Sequence, residues 1–306
     1  MDYDLIILGA GPAGITAGVY AGRKMMNTLV ITQDVGGQML WTKDIENYMG
    51  FRYISAQELI AKFNEQVEQF SNIELSLADP AQRVEKIENG FKVITRNGVE
   101  YTSYTVIVAT GKKPRRLGVP GEEKLTGRGV AYCSTCDAPL FSGKNVAVAG
   151  GGNSAIEAVI ELMALAKKVT VVNITPDWQA DPILLKRVQE SKNVEMISSH
   201  RVKEILGENK VEGIIIEPTE GEASQNLQVD GIFIEVGLSP NAELVANLVE
   251  LTPQGEIPVD CACRTSIPGL FAAGDVTTVP EKQIIISAGE GAKAALSAYR
   301  FWARRK

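Results

Sequence analysis

Two of the four cysteines in the chain stand as Cys133-Ser134-Thr135-Cys136, with Asp137 directly behind them. A Cys-x-x-Cys pair can do two kinds of chemistry. As a dithiol it exchanges with disulfides, because this spacing commonly lowers the proton affinity of one sulfur and the thiolate is the nucleophile. As a pair of thiolates it can supply half of a tetrahedral zinc site. The other half would have to come from Cys261 and Cys263, in VDCACRTSIPGLF. Alternation along a strand-like segment places both on one face, but in a different domain from the first pair. The dithiol reading is therefore favoured, and Cys261 and Cys263 are expected to be buried and inert. So few cysteines in 306 residues make no disulfide framework and fit a reducing compartment, read here as the cytoplasm.

The elements around the dithiol say what it works beside. Asn145 to Ala149 is an apolar run with the length and content of a buried strand. Gly150, Gly152 and Ala155 follow in G-x-G-x-x-A, with Asn153 and Ser154 between them, and open a helical pattern over Ser154 to Ala164. Lys168 to Val172 is the next strand. The N-terminus carries the same arrangement: a strand over Asp4 to Leu8, then Gly9, Gly11, Pro12, Ala13 and Gly14 in G-x-G-x-x-G, and a small-residue helix through Ala21. The glycines act in physically distinct ways. The first permits the tight turn, the second lets a pyrophosphate approach the backbone, and the third lets helix pack on strand. The free N–H groups of the helix start then face the phosphates. Two such units imply two dinucleotide sites.

Three further strands run into glycine turns: Thr105–Thr110 into Gly111, Gly231–Val236 into Gly237, and Leu270–Ala273 into Gly274-Asp275. A long Ala-rich helix is expected over Gln283–Trp302. The pattern predicts an α/β protein of two Rossmann-like three-layer domains. An FAD domain is built from both chain ends, residues 1–114 and 243–306, and a second nucleotide-binding domain, whose range includes the Cys-x-x-Cys, is inserted at 115–242.

The net charge of −6 leaves no broad basic field for nucleic acid. The cluster Arg304-Arg305-Lys306 reads as a solvated helix end. No apolar run approaches the roughly 20 residues of a membrane span. The first residues enter the strand pattern directly, without a basic leader.

GAGPAG at the start, GGQ at Gly36–Gln38, ENY at Glu46–Tyr48, ATG at Ala109–Gly111, CSTCD, GGGNSA and GLFAAGDV at Gly269–Val276 together resemble the low-molecular-weight thioredoxin reductase family of flavin disulfide reductases, in order and over essentially the whole chain. VTVVNITPDWQAD (Val169–Asp181), TTVP (Thr277–Pro280) and KQIIISAGEGAKAALSA (Lys282–Ala298) are similar to the flavoprotein subunit of alkyl hydroperoxide reductase, whose members carry an additional N-terminal disulfide module. This sequence starts at the FAD strand, so the expected acceptor is a thioredoxin-like or glutaredoxin-like protein rather than a peroxiredoxin.

The resemblance implies a homodimer that binds FAD and NADH. The FAD residues it implies are Gly9, Gly11, Pro12, Ala13, Gly14, Gly37, Gln38, Asn47, Ala109, Thr110, Gly111, Gly274, Asp275, Lys282, Gln283 and Ile284. The pyridine-nucleotide residues are Gly150, Gly152, Asn153, Ser154, Ala155 and Asn173, the last standing where a ribose-binding acid is expected. Cys136 would face the flavin, Cys133 would attack the partner disulfide, and Asp137 would move protons. NADH is favoured over NADPH because no basic residue occurs between Asn173 and Lys186 to hold a 2′-phosphate.

A ferredoxin donor, as in a subset of relatives, is the second reading. An NADH-dependent reductase of a peroxiredoxin system and a non-enzymatic flavin scaffold are further alternatives. The intact Cys-Ser-Thr-Cys-Asp speaks against the scaffold. The single histidine, His200, reads as a surface residue far from any motif. Glutathione-reductase-like enzymes use a wider cysteine spacing and a C-terminal histidine, and neither is present. Lys112–Gly118 and Gly237–Glu243 are the expected hinges of the inserted domain.

Overall fold

Leu5 and Ile7 point to one face of the opening strand, Tyr3–Ala10, while Ile6 and Leu8 point to the other, and none is exposed to solvent. A strand buried on both faces needs a layer on each side, and the chain supplies both. The computed structural model, which describes residues 1–41, 44–45, 47–132, 134–221 and 223–305, divides into two compact units. One joins residues 1–113 to 239–306, and the other is 114–238.

In the first unit the opening strand lies between the parallel strands Thr28–Val35 and Glu100–Val108. Ile73–Leu77 extends the sheet on one side, and Leu270–Ala272, from the far end of the chain, pairs in parallel with Val106–Val108. The antiparallel strands Ala81–Ile87 and Gly90–Thr95 complete it. Leu5 and Ile7 pack against the helices Pro12–Arg23 and Ile284–Ala303. Ile6 and Leu8 pack against Leu244, Val245 and Val249.

The second unit repeats the logic. Gly231–Ile234, Asn145–Ala149, Lys168–Val172 and Val194–Ile197 form a parallel sheet in that order, with Val130–Ala131 beside Gly231–Ile234. Val146 and Val148 bury against Ile156, Val159 and Leu162 of the helix Asn153–Met163. Ala147 and Ala149 face Ile214 and Ile216 of a separate antiparallel sheet over His200–Leu206, Gly213–Pro218 and Gln225–Leu227. His200 opens the first of those strands, with Nδ1 at 2.8 Å from the Ser198 carbonyl.

The unit divides fall at Lys113/Pro114 and Leu238/Ser239, where the sequence reading has 114/115 and 242/243. Side-chain ties explain the second difference. Asn241 donates from its backbone N–H to Gly111 O (2.9 Å) and from Nδ2 to Thr110 O (2.9 Å), and its carbonyl accepts from Thr110 Oγ1 (2.6 Å). Lys112 pairs with Glu256 at 2.9 Å and Lys113 with Glu243 at 2.8 Å. The segments expected as hinges thus begin and end in residues fastened to the first unit.

Cys261 and Cys263 correct another expectation. They lie in a turn and not on one face of a strand: Asp260 Oδ1 accepts from the N–H of both Ala262 and Arg264, and Cys263 has a left-handed backbone, φ 60°. That reversal leaves Cys261 exposed and Cys263 buried, its thiol held up to about 11 mainly by burial. Among the described residues no helix is long and apolar enough to cross a membrane.

Candidate functional site

The first glycine turn opens a cleft of about 710 Å³ in the first unit. Gly9 has φ +102°, and a Cβ there would strike the carbonyl oxygen of Ala109, so only glycine lets the two strand ends close together. Gly11 caps the helix Pro12–Arg23 without any side-chain acceptor, which leaves the N–H groups of the first turn open to the cleft. The neighbouring loop is fixed over it: Ala10 N–H donates to Thr32 Oγ1 (3.1 Å), Gly36 N–H to Ala10 O (2.8 Å) and Gly37 N–H to Asp34 Oδ1 (3.1 Å).

The opposite wall comes from the end of the chain. Asp275 accepts from Gln38 Nε2 at 2.7 Å and from Ser287 Oγ at 3.2 Å. Gly274 N–H donates to the buried carboxylate of Glu290 at 2.9 Å. Lys282 binds the Thr277 carbonyl (2.6 Å) and Glu256 (3.2 Å), and Asn47 Nδ2 reaches Gln283 Oε1 (3.0 Å). Gly9, Gly11, Pro12, Ala13, Gly37, Gln38, Ala109, Thr110, Gly111, Gly274, Asp275, Lys282, Gln283 and Ile284 all line this cleft. Gly14 lies beneath it in the helix. Asp34 and Ser287 line it as well and went unread. A signal for Asp34 existed: it stands about 20 residues beyond the glycine turn, where this fold carries its ribose-binding acid.

The cleft suits a dinucleotide. Its volume falls in the usual range of roughly 300–1,000 Å³, an uncapped helix start faces it, and Asp34 and Asp275 offer carboxylates suited to hydroxyl donors.

The second glycine turn has the same geometry in the second unit. Gly150 has φ +144°, and a Cβ there would strike the carbonyl oxygen of Glu235. Gly152 caps the helix Asn153–Met163 without a side-chain acceptor. Ser154 is exposed at the turn, and Ala155 is buried under it. The loop after Lys168–Val172 closes on this turn: Gln179 N–H donates to Gly151 O (2.9 Å), and Asp181 N–H to Asn153 Oδ1 (2.7 Å). Asn173 is only 2% exposed, and its Nδ2 donates to the carbonyls of Thr175 (3.1 Å) and Asp177 (2.9 Å). In this arrangement its carboxamide shapes the loop.

Of the dithiol segment, Cys133 and the side chain of Cys136 lie outside the described residues. The backbone of Ser134–Asp137 forms a short helix. Asp137 is half-buried, and desolvation raises its pKa above the ordinary carboxylate value. Glu235, in the same unit and passed over by the sequence reading, has its carboxyl pushed up to about 7 by burial and then by repulsion from Glu161.

The fold and the paired glycine turns define a two-unit Rossmann-like nucleotide-binding protein. Residues 3–295 match the family described as pyridine nucleotide-disulphide oxidoreductase, and the chain belongs to that family. It is 42% identical over 299 residues to the F subunit of an alkyl hydroperoxide reductase from Pseudomonas putida, covering 97% of this chain and 58% of that one. It is 41% identical over 302 residues to a protein named NADH dehydrogenase from Bacillus subtilis, covering 99% of this chain and 59% of that one. The chain thus spans little more than half the length of these curated relatives. A thioredoxin reductase of Lactococcus lactis superposes with a TM-score of 0.85 at 36% identity, covering 99% of each chain. The resemblance carried by the motifs therefore holds at both levels.

Proposed function

We propose that this chain is an FAD-containing, NADH-dependent disulfide reductase whose Cys133–Cys136 pair reduces a thioredoxin-like protein. The observation that carries the reading is the pair of glycine turns, one in each unit, with the Cys-x-x-Cys segment in the unit of the second. The structural likeness to a thioredoxin reductase over the full length of both chains supports the acceptor class. The choice of NADH is supported by the absence of any basic residue between Asn173 and Lys186.

Bound in the first cleft, FAD supplies a two-electron relay between a pyridine nucleotide and a protein disulfide. The turn at Gly9–Gly11 and the helix start behind it would hold the pyrophosphate, and Asp34 and Asp275 would accept hydrogen bonds from hydroxyls. Gly150–Ser154 give the nicotinamide dinucleotide the same cradle. In the dithiol, one cysteine thiolate attacks the partner disulfide, forming a mixed disulfide as the partner's own S–S bond breaks. The second cysteine then displaces the partner, which leaves as a dithiol while Cys133 and Cys136 become a disulfide. In this reading Asp137, whose proton affinity burial raises, gives and takes protons at the pair.

An anaerobic titration of the holoprotein tests this reading, following the flavin band with NADH, NADPH and reduced ferredoxin separately and then adding thioredoxin. Bleaching by NADH followed by recolouring with oxidised thioredoxin is the expected result. Bleaching by ferredoxin alone would overturn the donor, and a folded protein that retains no flavin would overturn the flavoenzyme. The identity to the F subunit of alkyl hydroperoxide reductase favours a second reading, in which a peroxiredoxin recolours the flavin and thioredoxin does not.

A further inference from the structure

A second cavity of the first unit, of about 630 Å³, shares no lining residue with the cleft at the first glycine turn. It lies between the segment 258–271 and the end of the helix Ile284–Ala303. Its floor is apolar. Leu270 and Phe271 of the last strand are buried there, and the rings of Phe271 and Phe301 meet edge to face at 6.4 Å. Gly269, at φ +91°, makes room for that pair, since a Cβ in its place would lie 3.0 Å from the Phe301 ring.

The charged lining is three guanidinium groups, Arg264, Arg300 and Arg304, against one carboxylate, Asp260. That carboxylate is already engaged. Its Oδ2 accepts from Arg264 Nε and Nη2, each at 2.7 Å, and its Oδ1 takes the N–H groups of Ala262 and Arg264. Arg300 and Arg304 stand exposed one helical turn apart, and neither pairs with a carboxylate among the described residues. Ser297 is only 6% exposed, lines the cavity, and orients Arg300 by accepting from Nη2 at 3.0 Å. The surroundings add positive charge. Lys86 Nζ donates to the carbonyl of Pro268, a lining residue, at 3.3 Å. Burial first, and then repulsion from Arg305, hold the Lys86 ammonium below its ordinary value. A chain of net charge −6 thus gathers cations at one cavity, and the arginine taken from the sequence as part of a solvated helix end is one of its walls.

We propose that this cavity binds a small aromatic phosphate, its phosphate between Arg300 and Arg304 and its ring on Phe271 and Phe301. Two guanidinium groups one turn apart suit a dianion, whose oxygens can each take a fork of N–H donors. The apolar floor favours a ring and offers inorganic phosphate nothing. The volume lies within the roughly 300–1,000 Å³ usual for small-molecule sites.

The test is calorimetric titration of the flavin-loaded protein with phenyl phosphate, and separately with inorganic phosphate and with phenol. It reads heat of binding and so stands apart from the function proposed above. Phenyl phosphate is expected to bind at this site at least about tenfold more tightly than either fragment. Arg300→Gln and Arg304→Gln, both exposed changes outside the two glycine turns, should each weaken it about tenfold and leave flavin content unchanged. Binding retained at wild-type strength in both variants would place phenyl phosphate elsewhere and overturn the proposal. Inorganic phosphate or phenol bound as tightly as phenyl phosphate would overturn it too. No heat from phenyl phosphate, with a lower mass by light scattering for Arg304→Gln than for wild type, would mean that a second copy covers the cavity, which also overturns it.

Discussion

Gln38 Nε2 donates to Asp275 Oδ2 at 2.7 Å, a hydrogen bond between residues 237 positions apart in sequence. It ties the loop after the second strand to the turn after the last one, across the cleft that both segments line. Asp275 is thereby held in place by Gln38 and Ser287.

Replacing Asp275 by alanine removes a charged acceptor and leaves Gln38 without its partner. A hydrogen bond to a charged group is worth about 1.5–3 kcal/mol, so flavin binding should weaken by about ten- to a hundredfold. The ratio of flavin to protein absorbance after dialysis checks this; retention at the wild-type ratio would remove Asp275 from the site.

Gly9→Ala places a Cβ on a backbone at φ +102° and drives it into the Ala109 carbonyl. Strain of this kind costs about 1–3 kcal/mol. The variant should purify with little flavin and melt several degrees below wild type by calorimetry.

Lys112 and Lys282 both pair with the Glu256 carboxylate, at 2.9 and 3.2 Å. Burial alone would raise this carboxyl, but the two lysine hydrogen bonds outweigh it and hold it below its ordinary value of 4.5. With the folded pKa below the unfolded one, the stabilisation is fully present above 4.5 and disappears as the pH falls through the lowered value. Glu256→Gln should therefore lower Tm by about 2–4 °C at neutral pH. The gap should narrow as melting is repeated at progressively more acid pH below 4.5. A gap that is the same at every pH would mean the ion pairs contribute nothing.

Ile174 is 58% exposed beside the second glycine turn, in a loop without a cation. Ile174→Arg should raise kcat/KM for NADPH relative to NADH by about tenfold, because a guanidinium can grip a 2′-phosphate in two places. Steady-state reduction of the acceptor disulfide with each nucleotide measures the ratio.

The parts of the fold that were legible in the sequence are those written locally. Strand, glycine turn and small-residue helix follow one another within some 20 residues at both Gly9 and Gly150, and the cleft residues sit at those punctuation marks. Glu235 was not legible, because a charged residue within a strand read as Gly231–Val236 looks like an ordinary strand end, although the strand stops at Ile234. Only the register of Ala131 against Phe233 shows that the dithiol segment leaves the sheet there. Asn241 escaped for a similar reason: its bonds to Thr110 and Gly111 join residues far apart in the chain, and no periodicity encodes them. Cys261 and Cys263 misled because alternation was assumed where Asp260 gathers two backbone N–H groups and reverses the chain.

The pairing of Leu270–Ala272 with Val106–Val108 also sets an order of events during biosynthesis. Residues 114–238 leave the ribosome complete and able to collapse on their own core before the first unit has its last strand. Until residues 270–272 arrive, one backbone edge of Val106, Ile107 and Val108 has no partner and invites pairing with another chain. The cleft, whose walls include Gly274, Asp275 and Ser287, cannot close in that interval. Extra cofactor in the growth medium can therefore stabilise finished chains, but it cannot protect nascent ones.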